Sequence, residues 1–139
     1  MMILLLVIIV LLCIITCREP REFVDMKNRY TVFLTKIKDS DKYPMLKKRS
    51  IVTGFRKRIA KSIGYNVNKG NEIGVCVDGT ANEMFHVLLH ELAHTTVKEY
   101  DHSEKFWNNF NDLRSMCKDW GIYTEIPHKT SFCGKYIRD

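Results

Sequence analysis

His90-Glu91-Leu92-Ala93-His94 puts two imidazoles and a carboxylate at the spacing a hydrolytic metal site uses. On a helix, residues four apart stand one turn above one another, so both rings can offer a nitrogen to one ion. Glu91 sits between them, placed to take a proton from a water polarised by that ion and pass it to a leaving amine. His102 follows in Asp101-His102-Ser103-Glu104-Lys105-Phe106-Trp107 and supplies a third ligand. Three nitrogen donors with a fourth position left to water is the zinc arrangement of hydrolases. The expected assignment is therefore His90, His94 and His102 as Zn2+ ligands and Glu91 as catalytic base. The competing reading is an accidental match on a buried helix.

Other residues compete for these roles. His86 stands one turn before His90 and either orients the site, competes as a ligand or packs in the core. His128, Glu99 and Asp101 are weaker candidates for the third ligand. Asp101 or Glu104 could instead accept a histidine N–H, as metal ligands commonly require. Tyr123 carries a phenol that could meet a transition-state oxyanion, although packing is the more frequent use of such a residue.

The elements that must position these groups are readable in part. Thr80-Ala81-Asn82-Glu83 is a capping box, so the motif helix should start there and run to about Lys98. Phe85, Leu88, Leu89 and Leu92 form its core stripe, and Val87, Ala93 and Val97 make it apolar nearly all round. Asp101 or Ser103 caps a further helix to about Trp120, closed by Gly121. Glu22 to Lys38 has the three- and four-residue spacing of an amphipathic helix, ended before Pro44. The segment from Leu46 to Ser62 is ambiguous and fits a helix interrupted by Gly54. Ile73-Gly74-Val75-Cys76-Val77 reads as a short strand, with an edge position beside the motif helix as its functional interpretation. Residues 122–139 are too apolar to be a loose end and should pack back on the domain. Between Thr95 and Asp101 the chain must turn to deliver His102, and no glycine assists it.

Composition divides the chain into three parts. Residues 1–17 carry no charge, and Ile3 to Ile15 is unbroken apolar sequence. Without a basic stretch before it or small residues after it, this segment reads as an uncleaved membrane anchor rather than a signal peptide. The basic residues Arg18, Arg21, Lys27 and Arg29 follow the run and place the domain on the cytosolic side. Residues 18–63 form a helical and basic region, and 64–139 the core that carries the motif. The net charge of +6 is concentrated in residues 42–61, which hold eight Lys or Arg and no acid. A solvated face is the plainest reading of that segment, with an anionic membrane surface or nucleic acid as alternatives. Cys76, Cys117 and Cys133 lack metal-ribbon spacing and read as buried thiols, with a Cys117–Cys133 bridge left open.

Several stretches occur together in one order: Val67-Asn68-Lys69-Gly70, Cys76-Val77, Val87-Leu88-Leu89 leading into the motif, His102 to Trp107, Gly121-Ile122-Tyr123 and Phe132-Cys133-Gly134. Together they resemble small metallopeptidase-like proteins of large DNA viruses, similar to the WLM and SprT-like branch of zincins. The resemblance covers roughly residues 64–137. It implies a compact α+β zincin-like domain, zinc on His90, His94 and His102, and Glu91 as base. The seven residues between His94 and His102 exceed the five of WLM proteins and lack the glycine of the metzincin gap. The combined expectation is a membrane-anchored zinc metallopeptidase acting on protein or peptide, with the bilayer contacted through residues 1–17. Two alternatives stand beside it: a non-catalytic membrane or virion protein with structural zinc, and a nucleoprotein-directed SprT-like protease.

Overall fold

The computed structural model describes residues 1–57 and 61–139. It is an α+β arrangement of helices α1 (Met2–Thr16), α2 (Arg21–Lys38), α3 (Ala81–Thr95) and α4 (Glu104–Asp119) with strands β1 (Ile51–Phe55), β2 (Gly64–Val67), β3 (Glu72–Cys76), β4 (Thr130–Phe132) and β5 (Lys135–Ile137). One apolar core runs from Phe23, Met26 and Phe33 of α2 through Ile73 and Val75 to Leu88 and Leu92 of α3 and Phe106 and Leu113 of α4.

The motif helix begins where its capping box requires. Thr80 accepts the N–H of Glu83, and the Glu83 carboxylate accepts the N–H of Thr80 in return. Glu22, from α2, accepts the N–H of Ala81 at 2.6 Å, which adds a negative charge at the helix's positive end. Ten of the fifteen α3 residues are buried, because the helix lies between the sheet, α2 and α4. α4 is capped by Ser103 and stops before Gly121, whose φ is +72°.

The three-stranded sheet has the order β1-β3-β2, with β1 parallel and β2 antiparallel to β3. β3 is thus the central strand, not the edge expected for it. Its nearly continuous apolar sequence fits burial on both faces. The edge beside the motif helix is β2. Within β3, a Cβ on Gly74 would stand 2.0 Å from Tyr65 Cε1, so only glycine lets that ring lie across the strand. Tyr65 stacks on Phe55 there and donates to Glu72.

The helix read across Leu46 to Ser62 does not form. A short 3-10 turn spans Pro44–Lys47 and β1 follows it. Ile51, Val52 and Thr53 are β-branched, and pairing with β3 outweighs the weak helical spacing. Arg58 and Ile59 of that reading lie outside the described residues. Among the described basic residues of this segment, Lys42 pairs with Asp112 of α4 and Arg56 with Asp78 after β3.

Residues 122–139 pack back as expected, burying Ile122, Tyr123, Ile126, Phe132 and Ile137. β4 and β5 make a hairpin whose two turn residues, Cys133 and Gly134, both have positive φ. Cys133 forms a disulfide with Cys76, tying this hairpin to the end of the central strand. That corrects the reading of both as free thiols, and the open alternative with Cys117 is not formed, since Cys117 is a buried free thiol.

Every residue of α1 is exposed, and none is buried against the described residues. Its fifteen residues extend about 22 Å, short of the roughly 30 Å hydrocarbon core of a bilayer. Among the described residues no single helix is long and apolar enough to cross a membrane; α1 and α2 reach the needed length and hydropathy only together, as a pair bent by 49°. α2 cannot join such a span while six of its side chains are committed to the protein core.

Candidate metal centre

His90 and His94 project from the same side of α3, and His102 approaches them from the turn before α4. Their ring centroids form a nearly equilateral triangle, at 5.1, 4.9 and 4.9 Å. One nitrogen from each lies within 4.8 Å of the others, and His90 Nε2 is 3.1 Å from His102 Nε2. Two nitrogens bound tetrahedrally at about 2.0–2.1 Å from a zinc ion stand roughly 3.3 Å apart. The chemistry and grouping of the three donors therefore suit zinc. Phe106 is the common floor of the triangle, with its ring 4.9, 4.4 and 4.7 Å from His90, His94 and His102. Fully buried in the core, it restrains all three rings at once.

Burial, followed by repulsion from His94, His102 and His86, holds His90 down to about 3. Burial and the neighbouring His102 and Lys69 charges lower His94 as well. Near neutral pH the lone pairs of both rings are accordingly free for a metal. Glu91 is buried beside them, and desolvation pushes its carboxyl up to about 7. A nearby dication reverses that preference and favours the carboxylate. Its position depends on Gly64, the first residue of β2. A Cβ on Gly64 would meet Glu91 Oε1 at 2.8 Å and Val87 Cγ1 at 2.6 Å. The carboxylate thus rests against the backbone of the edge strand.

The turn that delivers His102 is secured from a distance. Lys69 reaches out of the β2–β3 connection to donate to the carbonyls of His94 (3.2 Å) and Glu99 (2.7 Å), capping the end of α3. Its ammonium also lies 4.2 Å from the centroid of Tyr100. Asn66 donates to the Glu91 carbonyl and Thr95 Oγ1, while Asn109 of α4 donates to Thr96 Oγ1. Ser103 donates to Glu99 at 2.6 Å and caps α4. Lys69, Asn66 and Asn109 hold this turn by hydrogen bonds, and the sequence alone does not single them out. The one available signal was Asn68-Lys69-Gly70, where three successive residues with positive φ set a tight connection.

The remaining candidates are placed elsewhere. His86 is buried, with Nδ1 2.9 Å from the Tyr123 hydroxyl and 3.2 Å from Asp139 Oδ1. Tyr123 donates to Asp139 and is buried, so it does not serve as an oxyanion phenol. Glu99 is engaged with Ser103, and His128 and Asp101 are exposed and outside the nitrogen cluster. Among the described residues no hydrogen bond joins Asp101 or Glu104 to the three histidines. Cys76, Asp78 and Cys133 also converge, but the disulfide withholds both thiolates.

Asp139 anchors the end of the chain against the site helix. Burial alone would raise its carboxyl, but bonds from Tyr123, Arg114 and the Ile126 N–H, with the Arg114 charge, hold it below the usual range. Arg114 Nη1 stands 2.6 Å from Asp139 Oδ1. A depressed carboxylate contributes stability above its unfolded pKa and loses it as pH falls through the folded value. Metal-free protein should therefore lose this contribution only below the ordinary carboxylate range. Asp139→Asn should cost about 1–2 kcal/mol at neutral pH, by leaving the part-buried Arg114 without its charge partner. It should also flatten the acid limb of stability, measured by urea unfolding across pH.

The histidines, Glu91 and Val87 line one side of a cleft of about 480 Å³. Gly64 of β2 borders it, Trp107 and Phe110 of α4 form its apolar side, and residues 135–138 close it.

No protein-family model matches the sequence. An uncharacterized protein of Acanthamoeba polyphaga mimivirus is 33% identical over 87 residues, a match covering 55% of this chain and 44% of that protein. The chain thus spans less than half the length of this relative. The fold is similar to that of Wss1 from Saccharomyces cerevisiae, with a TM-score of 0.51 and 20% identity over 70% of this chain and 73% of that one. A Wss1 mutant structure gives 0.53 and 18%, over 71% and 79%. At these identities the likeness is one of architecture.

Proposed function

We propose that this chain is a zinc-dependent metallopeptidase of the HExxH type, with His90, His94 and His102 as ligands and Glu91 as catalytic base. The observation that carries the reading is the convergence of three imidazole nitrogens beside a buried carboxylate in an open cleft. Zinc bound there would supply a Lewis acid that polarises both a water and the scissile carbonyl. Glu91 takes the proton of the attacking water and returns it to the leaving amine. Phe106 holds the three rings in register. The free edge of β2, which begins against Glu91, offers backbone groups to an extended peptide. The Wss1-like fold and the resemblance to WLM and SprT-like proteins support the same reading.

A purely structural zinc site would be closed by a fourth protein ligand. Only three donors converge here among the described residues, and they face a cleft, which favours catalysis. The nucleoprotein-directed alternative draws no support from the described cations of residues 42–61, of which Lys42 and Arg56 are paired with acids. α1 is proposed to insert in a membrane as an anchor, since among the described residues nothing buries its apolar surface. The Cys76–Cys133 bond favours an oxidising surround for the domain, against the cytosolic side suggested by the basic residues after α1.

Purified full-length chain loaded with zinc should cleave an unfolded protein. A chelator should stop the reaction, and added zinc should restore it. Cleavage indifferent to the chelator, or no cleavage by zinc-loaded protein, would sink the proposal.

A further inference from the structure

The wall of the cleft opposite α3 is built by residues 135–138, and the charges that line the cleft there are of one sign; the Asp139 carboxylate that follows is engaged by Arg114 and Tyr123. Lys135 and Arg138 line the cleft, are exposed, and make no ion pair or side-chain hydrogen bond with any described residue. Lys129 lies 4.6 Å over the ring of Tyr136, which lines the same wall. From Ile126 to Arg138 the sequence contains no acid. Across the cleft, the lining acid is Glu91, which is buried and committed to proton transfer. The α4 side contributes Trp107 and Phe110, which are uncharged. Cations left without partners in a concave, partly apolar site focus a positive potential on whatever enters it.

Resting on the peptidase reading of this cleft, we infer that its substrates are acidic peptides, with a side-chain carboxylate bound by Lys135 and Arg138. Arg138 offers a planar fork suited to a carboxylate, and Lys135 a mobile point charge on the same cleft wall. Ile137, buried in the core, fixes the backbone immediately before Arg138. The disulfide at Cys133 ties the same hairpin to β3, so the cations stand on a tethered wall.

Binding can be measured without turnover in the Glu91→Gln full-length chain, kept in mild detergent and loaded with zinc. The probes are fluorescent peptides that differ only in Glu or Gln at the central positions, each with a free or amidated C-terminus. Fluorescence anisotropy should show the amidated Glu peptide binding roughly 10-fold tighter or more than its Gln counterpart, as expected for a charge-assisted contact. Lys135→Gln with Arg138→Gln should erase the difference without moving the melting temperature, because both side chains are exposed. Lys135→Glu with Arg138→Glu should turn the preference toward a Lys-containing peptide. A preference seen only with a free C-terminus would assign the carboxylate to the chain end and overturn the side-chain assignment. Equal binding of Glu and Gln peptides, or an oligonucleotide displacing the Glu peptide at lower concentration, would overturn the acidic-peptide site. Failure of wild-type chain to cleave any peptide while the Glu preference persists would defeat the peptidase reading alone.

Discussion

Glu91→Gln should slow peptide hydrolysis by roughly 10²- to 10⁴-fold, the range associated with a positioned general acid–base group. The amide is nearly isosteric, so it should still fit against Gly64 and leave the histidine triangle undisturbed. Zinc content, measured by metal analysis after dialysis, should stay at the wild-type level. A rate close to wild type would remove Glu91 from the mechanism. Gly64 permits an independent check on position, because Gly64→Ala keeps the carboxylate but drives a Cβ to within 2.8 Å of its oxygen. That variant should also lose rate, through displacement of Glu91 rather than loss of its chemistry.

His102→Ala should weaken zinc binding by more than about 100-fold, since even outer partners of metal ligands command 10- to 100-fold. Competition against a colorimetric chelator measures the change. Metal-free His102→Ala should melt like metal-free wild type, because His102 is exposed at the edge of the cluster. A variant that retains wild-type affinity would exclude His102 from the ligand set. The contrast with Lys69 is instructive. Lys69 touches the His94 and Glu99 carbonyls, not the nitrogen cluster, so its replacement acts by loosening the turn that carries His102.

The parts of this fold that were legible in the sequence are those governed by local chemistry. Thr80 and Glu83 announce the start of α3 because their side chains satisfy the first free N–H groups themselves. Ser103 and Gly121 bound α4 for similar local reasons. The three histidines and Glu91 were legible because a helix turns a four-residue spacing into a shared face. What was not legible depends on partners far along the chain. Ile51-Val52-Thr53 becomes a strand through pairing with Ile73 and its neighbours, which no local pattern announces. The same pairing places β3 at the centre and leaves the edge to β2. Lys69 and Asn109 secure the His102 turn from two other elements, so nothing within residues 95–101 themselves specifies it. The Cys76–Cys133 bond escaped for the same reason, being set by where the terminal hairpin folds back.

That bond has a topological consequence. The covalent ring it closes contains α3, α4 and therefore every proposed ligand and the proposed base. Tyr100, in the segment between the two helices, is 84% exposed, so it is a ready place for a chain cut. A nick there would separate His90 and His94 from His102 along the backbone yet leave them in one molecule. Such protein should migrate as a single chain on a non-reducing gel and as two fragments after a thiol reductant.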